Sequence, residues 1–122
     1  MTETAPLQRP FRCTPLRAYA GEIHAAPSLV FDALERRIRT RAGDAGIGAD
    51  PLGRFLVVQG GWWYRAEYRV LESDEGSRIE HEVLNVAASA HWAGPLAGRR
   101  ALSESAAEFG SLLTDLAGEL EN

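Results

Sequence analysis

The chain contains no lysine, so all 13 of its basic residues are arginine, an absence that fits a GC-rich coding bias better than a function. Positive charge is scarce altogether, because 17 aspartates and glutamates leave a formal net charge of -4. That balance argues against a nucleic-acid partner, whose binding rests on neutralising phosphates. Without lysine, the glycines of residues 42–53 cannot form a nucleotide P-loop, and their spacing is not that of a dinucleotide fingerprint either.

Cysteine is nearly absent. Cys13 stands alone, so no intramolecular disulfide can form, and a reducing, cytoplasmic location is expected. Histidine is scarce too. His24, His81 and His91 are the full set, at spacings that match no compact ligand motif, and neither a metal nor another cofactor is expected. No apolar run has the length of a signal-peptide core, and none reaches the roughly 18 residues of a membrane span. A chain of 122 residues is sized for one domain with one core.

What is present is a clear change of period along the chain. Residues 1–13 are polar and proline-bearing and read as a flexible tail ahead of a single domain over 14–122. The run PLRAYAGEIH alternates, with Tyr19, Gly21 and Ile23 on one side, and predicts a strand. Pro27 suits the first position of a helix, where its missing N–H costs nothing. Leu29, Val30, Ala33, Leu34 and Ile38 then recur at helical spacing up to Arg41. The arginines Arg36, Arg37, Arg39 and Arg41 close that helix, where cations suit the negative end of its dipole. Residues 42–53, with four glycines and a proline, read as a connection.

Beyond this connection the period becomes two. RFLVVQ and WWYRAEYRVLE flank Gly60-Gly61, a strong hairpin signal, and facing Gln59 with Trp62 sets Val57 against Tyr64 and Phe55 against Ala66. A second turn, SDEG, leads into SRIEHEVLNVA. Facing Glu72 with Ser77 pairs Val70 with Ile79, Tyr68 with His81, Ala66 with Val83 and Arg69 with Glu80, matching apolar with apolar and opposite charges with each other. The inner face then carries Phe55, Val57, Trp62, Tyr64, Tyr68, Val70, Ile79, His81 and Val83, and Arg65, Glu67, Arg69, Glu80 and Glu82 look outward. From Leu102 the pattern is helical again, with Ala106, Phe109, Leu113, Leu116 and Leu120 on one stripe and Ser103 or Ser105 available as a cap.

Aromatics at period two ordinarily pack as core. The same face, however, carries tyrosine hydroxyls and a histidine, and buried polar groups require partners, which is the mark of a pocket wall. Both readings stand on the sequence alone.

The opening strand running into IHAAPSLVFDAL resembles the start of the START-like superfamily (birch-pollen-allergen-like, also called SRPBCC or polyketide cyclase/dehydrase-like), and the terminal amphipathic helix is similar too. The resemblance implies an α+β, helix-grip-like fold. An antiparallel sheet of about four strands packs on a long C-terminal helix, one helix follows the first strand, and an apolar ligand cavity lies between sheet and helix. The superfamily ordinarily has six or seven strands, so the chain resembles an abbreviated member, and the implied cavity is small or open to solvent. The resemblance implies binding of a small apolar or aromatic ligand with no catalytic motif, at Trp62, Tyr64, Tyr68, His81, Phe109 and Leu113.

Two alternatives accompany that reading. A cyclase- or dehydratase-type enzyme would use His81 as general base and Tyr68 as oxyanion donor. A non-enzymatic interaction protein would be a homodimer, since the expected register clusters Leu56, Val58, Trp63, Leu84 and Val86 on the outer face, with Trp63 as anchor.

Overall fold

Alternation makes the first strand and proline starts the first helix. In the computed structural model, which describes residues 4–121, strand β1 spans Thr14–Ile23 and helix α1 spans Pro27–Arg41, with Pro27 in its first turn. Four more strands follow: β2 over Gly46–Asp50, β3 over Phe55–Gly60, β4 over Tyr64–Ser73 and β5 over Gly76–Asn85. A short helical turn at His91–Ala93 and helix α2 over Gly94–Ala97 lead into helix α3, Arg99–Leu120. The fold is α+β, with one antiparallel sheet in the order β1-β5-β4-β3-β2.

The sheet has five strands rather than about four. The extra strand is β2, inside the segment read as a connection. Its Gly46 and Gly48 lower strand propensity, yet Gly48 is required, because a Cβ there would collide with the backbone carbonyl of Ala5.

The register of β4 with β5 is the expected one in every pair, including Tyr68 with His81 and Val70 with Ile79. Arg69 and Glu80 stand opposite each other as expected. They go to other partners, however: Arg69 lies 4.8 Å over the Phe55 ring and Arg78 reaches Glu80 at 3.2 Å.

The register of β3 with β4 differs from expectation. Val57 faces Glu67, not Tyr64, and Phe55 faces Arg69, not Ala66. Gly60 pairs with Tyr64, so the turn is Gly61-Trp62-Trp63, with Gly61 at φ 64° in the left-handed region. An odd slip exchanges faces. Leu56 and Val58 therefore point inward, into the core cluster, while Phe55 and Val57 point outward.

Burial removes the premise of the dimer, and for Leu56 and Val58 the exchange of faces is its cause. Leu56, Val58, Leu84 and Val86 are all buried within the chain, at 0%, 8%, 0% and 9% exposure. Trp63 packs its indole on Gly98, where a Cβ would overlap the ring, and its carbonyl accepts from the Val86 N–H at 2.8 Å.

Helix α3 lies on the inner face, against β1 and α1. Its buried stripe is Leu102, Ser105, Phe109, Leu112 and Leu116. Ala106 is exposed, Leu113 is half-buried with its side chain on Gly21, and no serine caps the helix start. The arginine run of α1 ties it to α3: Arg36 and Arg37 both reach Glu119, at 2.7 and 2.8 Å, and Arg41 reaches Asp115 at 3.4 Å.

The opposite face of the sheet is covered by the segment read as a tail. Ala5 is 4% exposed, and the carbonyls of Pro6 and Leu7 accept from the Arg65 guanidinium at 2.8 and 2.9 Å. Among the described residues no helix is long and apolar enough to cross a membrane.

Candidate functional site

Three neighbouring strands each raise one ring from the inner face. Tyr68 of β4 faces His81 of β5, which faces Tyr19 of β1. The Tyr68 and His81 rings stack nearly parallel, at 8° and 4.3 Å between centroids, and Tyr19 continues the row at 5.9 Å. Phe109 of α3 closes over them, 5.3 Å from His81 and 5.9 Å from Tyr19. The phenol of Tyr19 and the hydroxyl of Ser105 share a 2.6 Å hydrogen bond, and Ser105 also donates to the Leu102 carbonyl at 2.8 Å. Sequence reasoning placed Tyr19 on the correct side of its strand but did not assign it to the site.

Beside this row the sheet and α3 do not meet. A cavity of about 520 Å³ opens between them, bounded by Val58, Tyr64, Tyr68, His81 and Val83 from the sheet and by Ala101, Ser105, Glu108, Phe109 and Leu112 from α3. Ile38, Arg41, Ala42, Asp44 and Ala45, from the end of α1 and the loop after it, complete the wall. The α3 positions recur at three- and four-residue spacing and form one face of the helix.

Of the expected ligand-binding residues, Tyr64, Tyr68, His81 and Phe109 line this cavity. Trp62 does not: it sits in the β3–β4 turn, 41% exposed, and its indole N–H donates to the Ser89 carbonyl at 2.9 Å. Leu113 lies one position round the helix from the cavity-lining Leu112. Arg41, Asp44 and Glu108 were not expected. Their only signal is position, since α1 ends at Arg41 and Glu108 precedes Phe109.

The stacking decides what His81 can do. Its Nδ1 lies 3.1 Å from the Glu67 carbonyl, and a carbonyl only accepts, so Nδ1 carries the proton and the neutral ring leaves Nε2 as an acceptor. Nε2 has no partner among the described residues and is not sealed from solvent-sized space. Burial pushes the His81 pKa down to about 4, against the opposing effect of the Glu67 carbonyl. At neutral pH the ring is uncharged.

The phenols are held in their neutral form as well. Burial lifts Tyr68 well above its usual value, with smaller contributions from Tyr64 and Glu108 outweighing the nearby Arg41. Burial and then the Glu108 charge raise Tyr64. Neither hydroxyl has a hydrogen-bond partner among the described residues. The site therefore combines an apolar volume with three uncharged, unpaired polar groups.

The remaining candidate chemistry is quiet. Cys13 is half-buried, and burial raises its thiol above the ordinary value, the opposite of an activated nucleophile. No three metal-ligating side chains converge among the described residues. No family model, curated protein or solved structure matches the chain.

Proposed function

We propose that this protein binds a small apolar or aromatic molecule in the cavity between the sheet and α3, in the manner of START-like proteins. The observation that carries the reading is a cavity of about 520 Å³, within the range of small-molecule sites, lined by apolar side chains and by the unpaired polar atoms of Tyr64, Tyr68 and His81. These atoms open onto the cavity, so a ligand that enters it can hydrogen-bond them in place of solvent. Kinship with START-like proteins is part of the proposal, supported by the order of strand, helix, antiparallel sheet and gripping C-terminal helix. A cytoplasmic location belongs to it too, supported by the lone cysteine.

Binding is favoured over catalysis by the state of His81. A base works best with a pKa near the working pH, and an imidazole held at about 4 is a weak proton acceptor at neutrality. Tyr68 and His81 present their faces to each other rather than a hydrogen bond. A homodimer is not part of this reading, because the patch that called for one is buried.

Native mass spectrometry of freshly purified protein is expected to show an adduct that organic denaturation releases. Val83→Trp, which fills the cavity from β5, should abolish both the adduct and the binding of anilinonaphthalene sulfonate. A bare chain mass together with no binding of that dye, or dye binding indifferent to Val83→Trp, overturns the proposal.

A further inference from the structure

The polar groups of the cavity are unbalanced between donors and acceptors. His81 offers only an acceptor, Nε2, because its one proton is committed to the Glu67 carbonyl. Asp44 and Glu108 on the wall are acceptors only, and neither carboxylate has a hydrogen-bond or ion-pair partner among the described residues. Tyr64 and Tyr68 add one donor and one acceptor each. The cation of the described wall, Arg41, is exposed and turns one terminal nitrogen to Asp115 at 3.4 Å.

We propose that the cavity selects an apolar or aromatic molecule carrying a protonated amine, its body among Val58, Val83, Phe109 and Leu112 and its ammonium between the phenols and Glu108. The proposal rests on the ligand-binding reading and names its ligand class. An ammonium brings donors and no acceptor, the complement of this wall, whereas a carboxylate would add acceptors beside two that are already unpaired. Two features place polar groups where a ligand in the cavity would meet them. Tyr68 and His81 are 9% and 5% exposed, yet the Tyr68 hydroxyl and His81 Nε2 have no protein partner among the described residues. The Glu108 charge also bears on the phenols: it raises Tyr64 after burial, and at Tyr68 it acts against the larger opposing effect of Arg41.

Three probes of one shape separate the ligand class from binding itself: phenylbutylamine, phenylbutanol and phenylbutyrate, titrated calorimetrically against the full chain near neutral pH. The amine is expected to bind roughly tenfold more tightly than the carboxylate, the effect of about one unit of differential charge interaction. The alcohol should fall between them. Glu108→Gln, at an exposed helical position, should weaken the amine several-fold more than the alcohol, with an unchanged circular dichroism spectrum reporting that the variant is folded. Equal affinity for all three probes, preference for the carboxylate, or an amine preference that survives Glu108→Gln combined with Asp44→Asn overturns the amine and leaves the binding reading in place. Failure of the alcohol and the amine alike to bind overturns both.

Discussion

Strand β4 serves two faces of one sheet with opposite solutions to burial. Its inward side chains, Tyr64, Ala66, Tyr68 and Val70, are apolar or aromatic, and the space above part of them is left open. Its outward side chains, Arg65, Glu67 and Arg69, are charged, which reads as a wet face. Yet Arg65 is 0% exposed and Glu67 5%. The polar face is thus the more completely filled of the two at its centre. Charge patterning in a strand states which side chains share a face; it does not state which face meets water.

The outer face shows what allows such burial. Every reach of Arg65 is met: Nε donates to Glu67 at 2.8 Å, one terminal nitrogen to Pro6 and Gln59, the other to Leu7. Glu67 stands directly opposite Glu82, a repulsive cross-strand pair. Arg9 relieves it by donating to both, at 2.8 and 3.1 Å. Burial works to raise the Glu67 pKa, but the hydrogen bonds from Arg9 and Arg65 outweigh it and hold the carboxyl below its ordinary value.

The largest effect is expected from breaking this network at its centre. Arg65→Met leaves Glu67 without its most buried partner and strands two backbone carbonyls, and loss of one member of a buried pair costs about 3–5 kcal/mol. Urea denaturation measures it. A loss below about 1 kcal/mol, the scale of an exposed pair, would mean that the outer face behaves as a wet surface after all, and the contrast between the faces would collapse.

The inner face should respond to pH through His81. Its native pKa of about 4 lies below the ordinary 6.5, so the unfolded chain binds more protons between these values. Stability is then complete above pH 6.5, falls as the pH drops toward 4, and levels off below that. The loss is on the order of 3 kcal/mol. Replacing the titrating ring, as in His81→Gln, should flatten this part of the profile. The outer face acts in a lower window, because Glu67 loses stability only as the pH falls from its ordinary 4.5 through its depressed native value. If denaturation between pH 6.5 and 4.5 has the same slope in His81→Gln and the parent chain, the imidazole is not buried uncharged.

The sequence made one hairpin legible and misled about the other for a physical reason. Between β4 and β5 the turn is tight, Ser73 pairing with Gly76, and the pairs Val70 with Ile79, Ala66 with Val83 and Arg69 with Glu80 agreed in character, so one register stood out. Between β3 and β4, Gly60-Gly61 resembled a two-residue turn, and Trp62 and Trp63 resembled strand residues. Tertiary contacts absent from local patterning draw them out: Trp62 bonds the Ser89 carbonyl and Trp63 packs on Gly98. The site suffered accordingly. Tyr68 and His81 came from the legible hairpin and Phe109 from the terminal helix, whereas Val58 was assigned to the wrong face and Asp44 belonged to a segment without periodicity. The burial of Arg65 was illegible for a related reason, since its cover comes from Pro6 and Leu7, far away in sequence.

The smallest effect sharpens the comparison by moving outward along the same network. Arg9 is bonded to Glu67 as closely as Arg65 is, at 2.8 Å, but its side chain is 42% exposed where that of Arg65 is 0% exposed. Exposed charge interactions are screened by water and salt, and such pairs contribute about 0.2–1 kcal/mol. Arg9→Gln keeps a hydrogen-bond donor and removes the charge, so it should cost no more than that, and the cost should shrink in high salt. Arg65→Met should cost nearly the same in low and high salt, because its partners are shielded from the solvent ions. Equal losses for the two variants, or a salt dependence shared by both, would place the two arginines in the same environment and contradict a polar face filled from its centre outward.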